Sequence, residues 1–351
     1  VILSRETGPP GGTVGHRGSG GNVPTVRSVV CRQLGEPELL EVTDRDPARC
    51  GPGQVRIRVR AAGLNYVDAL FVRGGYQIQP PLPFVPGSEL AGEIIEVGSD
   101  VDDGAWRVGD RVLASIGLGA FADEVLVPAS VPVRIPEALS FGQAATIGQS
   151  YATAWFTLTR RTVVQPDEWV LVLGAAGGLG LAMLDVARCL GARTVAAASG
   201  PDRLRLCIER GAHDVVDYST DELRVRVRDV TGGGADVAVD PVGGPLAEQA
   251  LRSLTNGGRL MVLGFASGDI PRLPANQILL RNRSVLGVDW GAWAMAHPED
   301  NRTLFDEVLG MVEERRLHPV EPTSYPLDQA ARALRDLLER RVVGKACLTT
   351  D

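Results

Sequence analysis

The sequence predicts an α/β protein in which a β-rich, barrel-like module adjoins a doubly wound parallel sheet. Three observations carry this reading. A short apolar run, Val170–Leu173, breaks into a glycine cluster and then into a helix-period pattern. From Val170 onward strands and helices alternate, which is the order that a parallel sheet requires. Before residue 133 the pattern is one of short strands broken by Gly and Pro.

Residues 1–25 are rich in Gly, Pro and Ser and lack periodicity, so they are expected to build no core. They read as a disordered extension, an artificial remnant or an over-long start, and they lack the charged and apolar regions of a signal peptide. Order is expected from Val26. Val55–Ala61 alternates with period two, and Gly92–Val97, Arg111–Ala114 and Glu124–Val127 are further strands. Between the first two, Gly63–Leu70 reads as a polar-faced turn or short helix. Ser140–Leu158 bridges the two halves, with Ser140 as a helix N-cap. The alternation then runs through Val170–Leu173, Leu181–Leu190, Thr194–Ala198, Arg203–Arg210 and Val215–Val216. It continues with Asp221–Thr231, Val237–Val239, Leu246–Leu254, Arg259–Leu263 and Ser284–Val288. Two amphipathic helices, Glu299–Val312 and Leu327–Arg340, and a strand at Lys345–Leu348 close the chain. Leu304, Val308 and Met311 recur at helical spacing, a core pattern.

The bulk composition narrows the function classes. A length of 351 residues suggests two domains. The formal net charge of −7 gives no footprint for nucleic acid or an anionic membrane. No apolar segment reaches the ~18–20 residues of a spanning helix. The cysteines are scattered, without a C-x-x-C pair or partnering histidines. That suits reduced thiols and a cytoplasmic location, and it argues against disulfides or structural zinc.

Chemistry first shows at Gly174, Gly177, Gly178 and Gly180. Set between a buried strand and a helix, and followed by a second strand, they form the turn that cradles a dinucleotide pyrophosphate. Glycines let the backbone approach the phosphates, and the free N–H groups at the helix start favour negative charge. Ala175-Ala176 stand where one glycine is usual. The predicted ligands here are Gly174, Ala176, Gly177, Gly178 and Leu179. The second strand ends in Ser199-Gly200 rather than in an acid, with Arg203 and Arg205 beyond it. A hydroxyl and a guanidinium suit a 2′-phosphate, so Ser199 and Arg203 favour NADPH, while Asp202 keeps NADH open. Arg205 reads as a solvated helix residue.

These residues, with several separated patches, resemble the zinc-free quinone oxidoreductase (zeta-crystallin-like) group of the medium-chain dehydrogenase/reductase superfamily. The patches are Ala62–Asp68, Pro86–Gly92, Gly109–Val112, Ala175–Gly180, Asp240–Gly244 and Gly344-Lys345. The resemblance covers nearly everything after residue 25. It implies a GroES-like catalytic domain over 26–150 and 289–351, a Rossmann nucleotide-binding domain over 151–288, and a homodimer paired along Ser284–Val288. It departs from the zinc alcohol dehydrogenases in the same places. Their first Cys ligand falls in the region of Asn65–Asp68, their Gly-His-Glu is Gly87-Ser88-Glu89 here, and the four-cysteine lobe is absent. No metal is therefore expected.

Without a Lewis acid the site is unsuited to ionising an alcohol, which leaves hydride transfer to a quinone or an α,β-unsaturated carbonyl. Asn65 is the candidate donor to the nicotinamide or the acceptor carbonyl. Asp68 completes the group's N-x-x-D pattern as an orienting carboxylate. Tyr66 and Tyr76 are candidates to line the acceptor cleft, and Thr153 matches a threonine that lies against the nicotinamide. The resemblance further implies cofactor contacts at Tyr218, Val242, Gly243, Gly264, Phe265 and Lys345. It leaves Trp290 as either a substrate wall or a packing anchor. Two alternatives stay open: a 2-enoyl-thioester reductase, and a non-catalytic NADPH-binding redox sensor or RNA-binding protein.

Overall fold

The computed structural model describes residues 25–350, so the predicted extension lies outside the described residues except for Thr25. The first half contains β1 (Val26–Val30), β2 (Glu41–Arg45), β3 (Gln54–Leu64), α1 (Tyr66–Arg73), β4 (Glu89–Val97), β5 (Arg111–Ser115), β6 (Glu124–Pro128) and β7 (Val133–Arg134). Helices α2 (Phe141–Ala144) and α3 (Ile147–Phe156) lead into β8 (Trp169–Leu173), α4 (Gly178–Cys189), β9 (Arg193–Ala198), α5 (Pro201–Glu209) and β10 (Asp214–Asp217). Then follow α6 (Leu223–Thr231), β11 (Ala235–Asp240), α7 (Gly244–Ser253), β12 (Leu254–Val262), α8 (Ala275–Leu279) and β13 (Ser284–Gly287). The chain ends with α9 (Trp290–Ala296), α10 (Pro298–Glu313), β14 (Thr323–Pro326), α11 (Ala330–Leu338) and β15 (Ala346–Thr349).

Six strands form one parallel sheet in the order β10-β9-β8-β11-β12-β13. Strand β8 is central, paired in parallel on both sides, and Val170–Leu173 are wholly buried. A strand covered on both faces has no polar side to show, hence its unbroken apolar run. Because the order reverses between β8 and β11, a crevice opens at their C-terminal ends. The second sheet runs β14-β15-β3-β4-β5-β7, with β6 also on β3. β3 serves three partners: β4 along one edge, with register shifts after Arg56 and after Val59, and along the other edge β6 over residues 54–58 and β15 over residues 61–64. β1 and β2 form a separate antiparallel pair.

The α/β class and the alternation match the prediction, and Ser140 does cap α2 through a reciprocal pair with Gln143. Two elements differ. β12 begins at Leu254, directly after α7, rather than at Arg259. Helix α9 occupies a stretch that carried no helical expectation. The C-terminal part, expected from residue 289, packs against two cores. Leu304, Phe305, Val308, Leu309 and Val312 of α10 are buried in the same core as α3 and α4, so residues up to Leu317 belong to that helical layer. Only β14, α11 and β15 rejoin the β-rich sheet. Among the described residues no helix is long and apolar enough to cross a membrane, and all five cysteines are free.

Candidate active site

Five strand-end turns meet at the C-terminal edge of the parallel sheet. After β8, Gly174 takes φ +59°, and an added Cβ there would lie 3.1 Å from Val242 Cγ2 in the turn after β11. Gly243 (φ +72°) in turn has room for no side chain beside Phe265, which follows β12. After β9 the Gly200 N–H donates to Asp217 Oδ2 at 3.1 Å, and the Tyr218 N–H at the end of β10 donates to Ala198 O. Gly174, Ala176, Gly177, Gly178, Leu179, Ser199, Tyr218, Val242, Gly243, Gly264 and Phe265 thus lie on one rim. The first N–H groups of α4 open onto it, as the start of any helix must leave them unpaired within the helix.

Arg203 is held on that rim, its guanidinium donating to the carbonyls of Ser199 (3.3 Å) and Arg340 (2.5 Å). Asp202, the acid that kept NADH open, is paired with Arg205 on an exposed surface. One contributor escaped the sequence reading. Asp240, fully buried at the end of β11, accepts the Val242 and Gly243 N–H groups with Oδ1 and has no partner for Oδ2. Burial pushes its carboxyl above the usual range. Its position inside a recurring strand-end motif was the available signal.

Across the rim sits a polar cluster that strand register assembles. β15 pairs Ala346 with Leu64, and β4 pairs Glu89 with Gly63, so Lys345, Asn65 and Glu89 meet at one end of three strands. The Lys345 ammonium donates to Asn65 Oδ1 (2.7 Å), Glu89 Oε1 (3.2 Å) and Leu64 O (3.5 Å). Asn65 Nδ2 donates to Glu89 Oε1 at 2.8 Å, and the Gln149 N–H to Glu89 Oε2 at 2.8 Å. Lys345 and Glu89 are both almost fully buried. Room for the carboxylate exists only because residues 63 and 148 are glycines, whose Cβ atoms would fall 2.6 and 2.9 Å from its oxygens. Glu89 is a site residue that the sequence reading mentioned only as a survivor of a lost metal site.

Asp68 completes the cluster. It is the N3 residue of α1 and accepts the Asn65 N–H at 2.8 Å, forming a reciprocal cap that ends β3 and starts the helix. Complete burial, aided by the Glu89 charge and opposed by the Asn65 N–H and Lys345, raises its carboxyl to about 7.

The remaining predicted residues divide. Tyr76 is half-buried, its ring 4.7 Å from that of Phe71, and burial and the charge of Asp289 raise its phenol above the usual range. Tyr66 and Thr153 are also half-buried. Trp290 makes the contacts of a packing anchor. Only 6% exposed, it donates to Asn301 Oδ1 at 3.1 Å and meets Phe305 edge-on.

A parallel sheet with a glycine turn at its switch point, facing polar groups on a β-rich lobe, defines a two-lobed oxidoreductase. Residues 51–137 match the family described as Alcohol dehydrogenase GroES-like domain, and residues 178–309 the one described as Zinc-binding dehydrogenase. The Quinone oxidoreductase-like protein 2 homolog of Nematostella vectensis is 38% identical over 328 residues, covering 92% of this chain and 89% of that protein. Quinone oxidoreductase of Pseudomonas aeruginosa is 34% identical over 319 residues, covering 90% and 96%. The solved structure of Escherichia coli quinone oxidoreductase complexed with NADPH superposes with a TM-score of 0.84 at 27% identity, covering 93% and 100%. The chain belongs to the quinone oxidoreductase family of the medium-chain dehydrogenase/reductases.

Proposed function

We propose that the chain is an NADPH-dependent, zinc-independent reductase of quinones or α,β-unsaturated carbonyls. The observation that carries this is the adjacency of the glycine turn after β8 and the Asn65–Glu89–Lys345 cluster, joined by the backbone bridge between Gly177 and Gly344. Relatives named quinone oxidoreductase, one of them solved with NADPH, support the same reading.

The rim fits a dinucleotide. The start of α4 offers free N–H groups and the positive end of a twelve-residue helix to the pyrophosphate. Ser199 and Arg203 are the proposed partners of a 2′-phosphate, and the pairing of Asp202 with Arg205 favours NADPH over NADH in this reading. Bound NADPH supplies a hydride, and a proton from solvent completes the two-electron reduction. The chain's own part is to hold a flat acceptor beside Tyr66 and Tyr76, keep bulk water away, and offer donors to the oxygen on which charge develops.

Zinc independence rests on the donor set. Among the described residues no three His, Cys, Asp or Glu side chains converge, and the oxygens of Glu89 are engaged by an ammonium, an amide and a backbone N–H. A zinc site is built from His nitrogens, Cys sulfurs and carboxylates in tetrahedral array, and among the described residues no such set converges on Glu89.

A steady-state acceptor screen with NADPH and NADH side by side tests the reading. NADPH oxidation at background level with every quinone and enone would reject it. Arg203→Ala is expected to raise the KM for NADPH roughly 10-fold, the loss of one charge-assisted contact, while sparing NADH. Equal effects on both nucleotides would remove the 2′-phosphate assignment.

Pairing of two copies along β13 belongs to the same proposal. That strand is the sheet's edge, with Ser284, Val285 and Gly287 exposed. Light scattering should report a dimer that Val285→Lys converts to a monomer. A monomeric parent protein would overturn the pairing.

A further inference from the structure

We propose that Lys345 is a positioning residue that locks the amide of Asn65 in one flip state and ties it to the nucleotide turn. This deepens the reductase reading and rests on it for its kinetic part. Resemblance alone makes Lys345 a cofactor contact, but its side chain is spent elsewhere. All three hydrogens of its ammonium have acceptors within the chain, at Asn65 Oδ1, Glu89 Oε1 and Leu64 O.

The amide of Asn65 sees a cation on one side and an anion on the other. With Oδ1 toward Lys345 and Nδ2 toward Glu89, both contacts are attractive. A flip would set Oδ1 against a carboxylate oxygen at the same 2.8 Å and an N–H against the ammonium. One orientation therefore survives. It leaves Asn65 a single poorly held hydrogen, which has only the Ser88 hydroxyl at 3.4 Å. A ligand carbonyl can compete for that hydrogen, whereas the amide oxygen is not free to accept.

The tie to the nucleotide turn is steric. Gly344 forms a backbone bridge with Gly177, and its N–H donates to Ala176 O at 2.9 Å. One residue on, the stem of Lys345 crosses the first turn of α4 so closely that a Cβ on Gly178 would lie 2.1 Å from Lys345 Cδ. The same two residues thus touch the pyrophosphate cradle and the acceptor-side amide.

The test combines Lys345→Met, Asn65→Ala and their double variant with Lys345→Met/Glu89→Gln, in which no buried charge is left unpaired. Lys345→Met is expected to lower kcat about 10- to 100-fold, the scale of a small misplacement, with NADPH Kd from fluorescence titration changed less than about 3-fold. Adding Asn65→Ala should cost little more, because both changes remove the same oriented amide. The charge-neutral pair should regain thermal stability lost by Lys345→Met, yet not its kcat. A roughly 10-fold weaker Kd with kcat intact would make Lys345 a direct cofactor ligand and overturn the proposal, as would losses that multiply in the double variant. If no acceptor is ever reduced, the reductase reading fails separately. Non-additive shifts in Tm between Lys345→Met and Asn65→Ala would still report the coupling, and additive ones would refute it.

Discussion

Replacing Gly180 with alanine is expected to abolish detectable nucleotide binding, a loss of at least ~100-fold in affinity, and to lower Tm. The reason lies in what an added Cβ would meet. At residue 180 it would fall 2.4 Å from Gly174 O and 2.6 Å from both Ala175 Cα and Ala175 O. All three are backbone atoms of the turn itself, so no side chain can swing aside, and the helix can form only if the turn opens. Gly310→Ala, in α10 and away from the turn, is the internal control, since a Cβ there would meet nothing within 4 Å. Isothermal titration with NADPH and thermal denaturation of both variants decide the matter. If Gly180→Ala binds as tightly as the parent, the turn does not have the geometry described, and the nucleotide site must be sought elsewhere.

That turn was also the most legible part of the sequence, because its physics is local. A buried strand, a cluster of glycines and a helix-period run are contiguous, and each is needed by its neighbour. Ser140 was readable for the same reason, as its cap closes within four residues. The polar cluster was not. Glu89 and Lys345 are 256 positions apart and meet only because β15 and β4 find particular registers on β3. No spacing along the chain encodes that meeting. The residue types were visible, but the partner of each was not, which is why Lys345 entered as a cofactor contact and Glu89 as a remnant. The surroundings of Trp290 were hidden for a different reason. Its motif named a place at the cleft edge, while α9 and α10, whose packing decides which way the indole lies, are specified by contacts with α3 and Phe305.

Asp68 should make stability fall with pH across a window where most carboxylates are already ionised. Its side chain is wholly buried, and its carboxyl titrates at about 7 in the folded protein against an ordinary value near 4 when unfolded. The facing groups are Glu89 from β4, whose charge raises it, and the Asn65 N–H, Ser88 and Lys345, which lower it. The folded state therefore holds a proton that the unfolded chain gives up between pH 4 and 7. Stability from this group is complete below pH 4 and is lost as pH rises through 7. Asp68→Asn keeps an oxygen for the Asn65 N–H but has nothing to ionise. Near pH 4 the variant should match the parent in unfolding free energy. By pH 8 it should be the more stable of the two, by about 4 kcal/mol from the size of the shift. Urea unfolding of both proteins at intervals from pH 4 to 8 reads this directly, because titrations common to the two cancel in the difference. Parallel curves over that range would mean that the carboxylate is charged in the folded protein, its Oδ1, which has no partner here, having found one.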